Sequence, residues 1–179
     1  MQWKPLYGII ILGLVFGAIV FGAWMLFEET QNPTARGWQG DLELSITLNK
    51  TVVLVGDSVK IVLTLKNIGN KNVTFWMGPP FFDVHLYDLN DNLVAKWSEG
   101  KAFPEYIMEI TLQPGETFSK TVDWNLSSYD YKSGGFVSVK TGKYRVSGVW
   151  LGQPHIETAK IPVTVNEAQY TESGAVQTA

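Results

Sequence analysis

Residues 81–124 read FFDVHLYDLNDNLVAKWSEGKAFPEYIMEITLQPGETFSKTVDW, and this stretch decides the fold. Apolar and polar residues alternate from Phe82 to Tyr87, which predicts a strand with one buried face. The run 88–92 contains only Asp, Asn and one Leu, and Asp and Asn favour tight turns. A second strand at 93–97 follows directly, so the two strands are predicted to pair as an antiparallel hairpin. The Pro-Gly-Glu sequence at 114–116 predicts another turn between two further strands.

The same alternation predicts strands on both sides of this stretch. They are expected at 42–48, 52–55, 59–65, 73–75, 143–150 and 161–165. We interpret 41–166 as one folded domain, 125–141 as a long irregular loop and 167–179 as a disordered tail. Seven to nine short strands without an amphipathic helix predict an all-β fold, an antiparallel immunoglobulin-like β-sandwich.

The stretch also has a characteristic order of residues. This order is Phe82-Asp83, Tyr87-Asp88, Val94, Trp97-Ser98, Gly100, Phe103, Leu112, Pro114-Gly115-Glu116 and Trp124, preceded by a strand from Val59 to Asn67. In this order and spacing the chain resembles the BsuPI-type intracellular proteinase inhibitor family. The resemblance implies a small non-enzymatic β-sandwich that binds proteins. It assigns no reactive site, because no inhibitory residue can be matched position by position.

Composition excludes several classes of function. The 179-residue chain has a net charge of −3 and a pI near 5.4, which argues against nucleic acid as a partner, since phosphate binding requires clustered Lys and Arg. Cysteine is absent, which excludes disulfides, thiolate nucleophiles, zinc–thiolate sites and iron–sulfur clusters. We therefore predict no cofactor and no metal.

The N-terminal segment has the length and polarity of a membrane span. Residues 5–27 carry no charge, and about 20 such residues in a helix cross a bilayer. We predict a signal-anchor transmembrane helix at 1–27, with the lipid bilayer as a partner, followed by a polar linker at 28–40. Lys4 precedes the span, and the positive-inside rule then places the N-terminus in the cytoplasm and the folded domain outside it.

Three glycines lie on this predicted helix. Gly13 and Gly17 form a GxxxG pair, and Gly22 extends the row of small residues. Such rows allow two membrane helices to approach closely, which predicts self-association. The alternative is that glycine is simply common in membrane helices.

Two polar groups of residues are candidate chemical sites. His85 and Asp83 are two positions apart and share one face of a strand, yet no Gly-x-Ser-x-Gly motif supplies a nucleophile. We therefore interpret His85 as a surface histidine and predict that the protein is not an enzyme. Oxygen-bearing side chains at 88, 90, 92 and 99 match calcium-loop positions, but Leu93 occupies the position that requires glycine, so an ordinary hairpin turn is predicted.

Three triplets match the N-glycosylation pattern. Their asparagines are Asn49, Asn72 and Asn125, all at predicted strand ends or turns. They are relevant only for a domain outside the cytoplasm of a host that glycosylates proteins.

Recognition of a partner is predicted at two loops, because rigid strands usually present binding residues on loops. The 77–81 loop is stiffened by two prolines, and the 129–136 segment combines aromatic residues with Gly and Ser. The candidate residues are Pro79, Pro80, Phe81, Tyr129, Tyr131 and Phe136. The alternative is that these aromatic residues fold back and cap the core.

Two functions of different class follow from these features. The first is a membrane-anchored extracytoplasmic protein-binding module of the proteinase-inhibitor type, as the family resemblance implies. The second is a structural cell-surface protein, or an accessory subunit of a membrane assembly, that associates through the sandwich and the GxxxG helix. The partner is an unidentified protein, either a protease or a subunit of a membrane complex.

Overall fold

The structure is a computed structural model that describes residues 32–167, and in this range the chain is all β. Fourteen strands are present among the described residues. They are β1 Thr34–Gln39, β2 Leu42–Leu48, β3 Val52–Leu54, β4 Val59–Asn67, β5 Val73–Met77, β6 Phe82–Tyr87, β7 Leu93–Lys96, β8 Met108–Leu112, β9 Thr117–Trp124, β10 Ser127–Asp130, β11 Gly135–Ser138, β12 Gly142–Trp150, β13 Ile156–Glu157 and β14 Ile161–Asn166. The predicted hairpin is confirmed as β6 and β7, which pair in antiparallel fashion.

Two larger sheets form the body of the domain. The first sheet has the order β1-β2-β4-β9 and is antiparallel throughout. The second has the order β3-β14-β12-β6-β7, and β13 also pairs with β12. Its β3–β14 pair is parallel, which departs from the wholly antiparallel prediction. The chain passes from β2 in the first sheet to the short β3 in the second sheet. No hairpin therefore connects β3 to β14, and the two strands can run parallel.

The two sheets pack face to face at Gly148 of β12. A β-carbon built at this glycine would lie 2.5 Å from Leu63 Cδ2 and 3.0 Å from Ile46 Cβ, both in the first sheet. Only a residue without a side chain therefore allows this spacing between the sheets. The sandwich architecture rests on this contact and on the apolar faces of β2, β4, β6 and β12 around it.

Aromatic side chains fill one part of the core. Trp150 is fully buried, and its ring makes edge-to-face contacts with Phe75 and Phe82 at centroid distances of 5.1 Å. Phe118 of β9 stacks on Phe82 at 5.5 Å and joins the two sheets. Trp97 is buried as well.

Asn67, at the end of β4, is a fully buried polar residue that connects four segments. Its side-chain amide donates hydrogen bonds to the carbonyl oxygens of Lys71 at 2.7 Å and Leu112 at 2.9 Å. Its side-chain oxygen accepts the backbone N–H of Gly69 at 2.9 Å. Its own backbone N–H and C=O pair with the 113–116 turn. The β5–β8 ribbon is thereby attached to the first sheet.

The segment 125–141 was predicted as an irregular loop, but it contains the β10–β11 hairpin. Tyr129 and Phe136 are directly opposite each other, and this aromatic pair stabilises a hairpin that has little apolar alternation. Asp130 closes the turn by accepting hydrogen bonds from the Lys132 N–H and the Ser133 hydroxyl. The many Ser, Tyr and Gly residues concealed these strands in the sequence.

The predicted linker 28–40 overlaps the first strand of the domain. Residues 34–39 form β1, which pairs with β2 along its whole length, so the ordered sheet begins before Asp41. The pairing depends on the backbone rather than on apolar alternation. Gly37 contributes by leaving room for the carbonyl oxygen of Glu157, which a β-carbon would overlap.

Between residues 32 and 167 no helix is long and apolar enough to cross a membrane. The predicted transmembrane helix at 1–27, its glycines Gly13, Gly17 and Gly22, and residues 168–179 of the predicted tail lie outside the described residues.

We expect Gly148→Ala to lower the free energy of unfolding by about 1–3 kcal/mol, since the added methyl group pushes Ile46 and Leu63 apart. Gly135→Ala is the matched control, because nothing lies closer than 4.0 Å to a β-carbon at that site. Urea unfolding of both variants measures the difference. Equal stability of the two would show that the sheets do not meet at Gly148.

We expect Asn67→Ala to cost about 3 kcal/mol, because it leaves several buried backbone groups without a partner. Asn70→Ala, at a neighbouring exposed position, should change stability by less than about 0.5 kcal/mol. Thermal and urea unfolding test both variants. A small effect at Asn67 would mean that other groups or water replace its amide.

Candidate protein-binding site

Residues 97–107 join β7 to β8, and after a turn at 97–100 the last seven residues, Lys101–Ile107, form what we call the crossing segment. It runs without a turn or bend and belongs to no sheet. In the described part of the chain, no backbone group from Ala102 to Tyr106 forms a hydrogen bond to another backbone group. All of its residues except Phe103 are exposed. The crossing segment is therefore an exposed stretch of chain without a turn or bend, and from Ala102 to Tyr106 its backbone has no hydrogen-bonded backbone partner.

The start of the crossing segment is anchored on Trp97. The Phe103 ring packs against the Trp97 ring at a centroid distance of 5.8 Å. The ammonium group of Lys101 lies 4.0 Å from the centre of that ring, and that of Lys120 lies 5.1 Å from it. Burial and the neighbouring Lys120 lower the pKa of Lys101, although Asp83 opposes the shift. These contacts fix where the segment leaves the core.

The far end of the crossing segment lies over the 77–81 loop. The carbonyl oxygen of Tyr106 sits against Gly78, where a β-carbon would overlap it. Gly78 and Pro79 line an open groove together with residues 103–107. Ile107 is 74% exposed, and Trp76 on the adjacent strand β5 is 70% exposed. This end of the domain thus presents large apolar side chains on a supported backbone.

The structure separates the candidates of the 77–81 loop. Pro79 and Pro80 are partly exposed and are joined by a cis peptide bond. Phe81 is only 8% exposed and makes an edge-to-face contact with Phe118 at 5.4 Å. Phe81 is therefore a core residue rather than a partner-binding one, because its side chain points into the sandwich next to the buried Phe82.

The aromatic residues of the β10–β11 hairpin flank the other end of the crossing segment. Tyr131 is 75% exposed and Phe136 is 50% exposed, so both are available to a partner. Tyr129 lies between their rings and packs on Gly100, where a β-carbon would overlap its ring. The Tyr131 hydroxyl donates a hydrogen bond to Glu99 at 3.2 Å. Of the three aromatic residues, only Tyr129 covers the neighbouring backbone as the capping alternative requires.

The two predicted loops therefore border a third element, the crossing segment, which the sequence analysis does not identify as a candidate site. The crossing segment separates the 77–81 loop from the hairpin and contacts the former directly. The sequence does contain a pattern that distinguishes the crossing segment from the strands around it. Residues 101–107 contain a proline and follow neither the period of a strand nor that of a helix, yet they carry three large apolar side chains.

A chain of polar groups crosses the outer face of the second sheet. Asp83 is 3% exposed and accepts hydrogen bonds from the Ser98 hydroxyl at 2.6 Å and from the Val84 N–H at 2.8 Å. His85 lies between Asp83, at 3.5 Å, and the Tyr87 hydroxyl, at 3.2 Å. Burial would raise the pKa of Asp83, but hydrogen bonds from His85, Ser98 and Val84 hold it below the ordinary value.

This chain of groups lacks the geometry of nucleophilic catalysis. The Ser98 hydroxyl donates to Asp83 and the Ser147 hydroxyl to Glu157, so neither hydroxyl faces His85. Burial and the bond to Glu157 raise the pKa of Tyr87 to about 12, which keeps its hydroxyl protonated.

The oxygen-bearing side chains at 88, 90 and 92 form a hairpin turn, as predicted. The Asp88 carboxylate accepts the backbone N–H groups of Asn90 and Asn92 and the side-chain amide of Asn92. The hydrogen bonds from Asn92 lower the pKa of Asp88. No group of three or more metal-binding side chains is found in residues 32–167.

The three asparagines of the N-glycosylation pattern, Asn49, Asn72 and Asn125, are all exposed. Two of their side chains support local structure. Asn49 accepts the backbone N–H of Lys60, and Asn125 accepts the Ser127 hydroxyl. Glycosylation at these sites stays a prediction from the sequence.

Fold and surface together define a small β-sandwich protein with an exposed segment, Lys101–Ile107, outside its sheets. Over residues 46–155, more than half of its length, the sequence matches the model of the BsuPI family, described as intracellular proteinase inhibitor. The chain belongs to this family, which confirms the resemblance carried by residues 81–124. No curated protein sequence matches the chain.

Solved structures with a similar chain path include parts of much larger enzymes. A β-glucosidase from Listeria innocua in complex with isofagomine matches 72% of this chain at 20% identity and a TM-score of 0.42, and the match covers 16% of the enzyme. A CARDB domain from Pyrococcus furiosus in complex with di-metal ions matches 72% of this chain and 94% of that domain, at 20% identity and a TM-score of 0.39.

Family membership corrects the predicted location. The domain was expected outside the cytoplasm because Lys4 precedes the apolar segment, whereas the matching family is described as intracellular. A prediction based on one basic side chain is thereby contradicted. The single-pass topology with an extracytoplasmic domain is wrong.

We expect Asp83→Asn to destabilise the domain by about 2 kcal/mol at neutral pH, because charge-assisted hydrogen bonds to a buried carboxylate are lost. In the folded protein the pKa of Asp83 lies below its ordinary value of 3.8. The stabilisation that the ionised carboxylate gives the fold is therefore complete above pH 3.8 and is lost as the pH falls through the folded-state pKa. The difference in the free energy of unfolding between Asp83→Asn and the wild type should therefore become smaller in acid.

Urea unfolding from neutral pH to well below pH 3.8 measures this gap. Asp57→Asn is the control, since its ion pair with Lys50 is exposed and surface pairs contribute little. A gap for Asp83→Asn that stays constant with pH would contradict an ionised Asp83 in the folded protein.

Proposed function

We propose that this protein is a non-catalytic module that binds and inhibits an endoproteinase through the crossing segment and the loops beside it. The proposal combines family membership with one observation, the exposed crossing segment whose backbone groups from Ala102 to Tyr106 form no hydrogen bond to other backbone groups. An inhibitor needs a surface that a proteinase can hold as it would hold a substrate. The crossing segment is the described part of the chain that best meets this need.

The supports of the crossing segment suit tight binding. Anchoring of Phe103 on Trp97 and of Tyr106 over Gly78 orders the segment before a partner arrives. A segment that is already ordered loses less conformational entropy on binding than a flexible loop does. The exposed rings of Trp76, Tyr106 and Tyr131 are of the residue types that dominate the energetics of protein interfaces.

A protein partner agrees better with this surface than a small molecule does. The groove between residues 78–79 and 103–107 is open to solvent, whereas sites for small molecules usually enclose their ligand. The polar side chains on the outer face of the second sheet are hydrogen-bonded to one another, and no hydroxyl among them is activated. Both observations favour recognition over catalysis.

The test is an inhibition assay of the full-length protein against chymotrypsin, trypsin and subtilisin, with casein as the substrate. We expect inhibition of at least one of these serine endoproteinases. The double variant Tyr106→Ser, Ile107→Ser should inhibit at least about tenfold more weakly, because truncation of an anchoring side chain commonly costs about 2 kcal/mol or more.

Leu89→Ser is the matched control, since Leu89 is exposed in the β6–β7 turn, away from the exit of β7. It should inhibit as the wild type does, and the melting temperatures of all variants should agree because the replaced side chains are exposed. A protein that inhibits none of the three enzymes contradicts the proposal.

A further inference from the structure

The direction of one carbonyl group orients the whole crossing segment. For a β-carbon built at Gly78, the carbonyl carbon of Tyr106 would lie at 3.3 Å, and the carbonyl oxygen would be closer by about the length of a C=O bond. The Tyr106 carbonyl therefore points directly at Gly78 and into the protein's own fold. The opposite edge of the crossing segment faces solvent.

In an extended chain the N–H and C=O of one residue point toward the same edge, and successive residues alternate between edges. Because Tyr106 faces Gly78, Pro104 faces the same way. The backbone groups of Phe103, Glu105 and Ile107 then face solvent. The position of the proline agrees with this alternation. Proline has no backbone N–H, and Pro104 lies on the inward edge, so the solvent-facing edge loses no donor.

The geometry points to the crossing segment as a docking strand that adds edge-to-edge to the substrate-binding strand of an endoproteinase cleft. The backbone groups of Phe103, Glu105 and Ile107 make the hydrogen bonds. Strand addition of this kind draws its affinity from main-chain hydrogen bonds and its specificity from alternate side chains. The inference rests on the proposed function and specifies how that function is carried out.

The same orientation makes the docking strand a poor substrate at its two aromatic residues. A serine endoproteinase must place the carbonyl of the bond it cuts in its oxyanion hole. The carbonyl of Tyr106 is turned toward Gly78 and is out of reach. The carbonyl of Phe103 faces outward, but the next residue is proline, which serine endoproteinases do not accept readily after the bond to be cut. The segment is thus bound more readily than it is cut.

The test compares prolines placed on the two edges of the docking strand. Glu105→Pro removes an N–H from the solvent-facing edge and should weaken inhibition of the responsive enzyme by about tenfold, since a backbone hydrogen bond is lost and its partner is left unpaired. Ala102→Pro removes an N–H from the inward edge, and Glu105→Ala removes only the side chain. Both controls should inhibit as the wild type does.

A second measurement uses the wild-type protein alone, so it does not depend on the folding of the variants. In the complex with the same enzyme, the amide hydrogens of Glu105 and Ile107 should exchange more slowly than in the free protein. The amide hydrogen of Tyr106 should be unchanged. Equal protection of all three amides would overturn the assigned edges.

The outcomes separate this inference from the proposed function. If the wild type inhibits and both proline variants inhibit equally well, the docking strand is refuted while the inhibitor function stands. If the wild type inhibits none of the three enzymes, both fail. If sedimentation shows a wild-type dimer that Glu105→Pro dissociates, the strand pairs with a second copy of the chain, and the inference is overturned.

Discussion

The side-chain amide of Asn67 is the interaction on which the presentation of the surface depends. A buried amide is costly unless its donors and acceptor are all paired, and here they pair with three backbone groups in two segments, the 69–71 loop and the end of β8. One of these segments ends β8, the strand that receives the crossing segment. The position of the exposed backbone at 101–107 therefore depends on a polar contact inside the domain, in addition to the apolar packing of the sheets around Gly148.

The β6–β7 hairpin and the buried faces of the core strands could be predicted from the sequence, because the alternation of apolar and polar side chains indicates which face of a strand is buried. Phe82 to Tyr87 was predicted within the observed bounds for this reason. Strands that are held mainly by backbone hydrogen bonds show no such alternation, so the sequence does not reveal them. The β1 strand pairs along a segment with mixed polarity, and β10–β11 depends on one aromatic pair and a capped turn. Of the predicted binding residues, Phe81 was misplaced because the sequence does not show which way a loop side chain points.

Two sets of polar groups in this domain, those on the outer face of the second sheet and those of the crossing-segment backbone, behave in opposite ways. On the second sheet, the carboxylates of Asp83 and Glu157 accept hydrogen bonds from neighbouring hydroxyl groups, and the His85 ring lies among these groups. Along the crossing segment the unpaired groups belong to the backbone, which is neutral and chemically inert. This arrangement is the one that the proposed role, recognition of another protein without catalysis, requires.

The burial pattern of the crossing segment has a consequence for how the family can diversify. Only Phe103 contributes its side chain to the packed interior, while the residues from Pro104 to Ile107 lie in solvent. Replacements at these four positions cost the fold little, because stability is set by the anchors at Trp97, Gly78 and Asn67. Under the proposed function, mutation can therefore change which proteinase is recognised without passing through unstable intermediates. The same scaffold could follow a target that itself evolves.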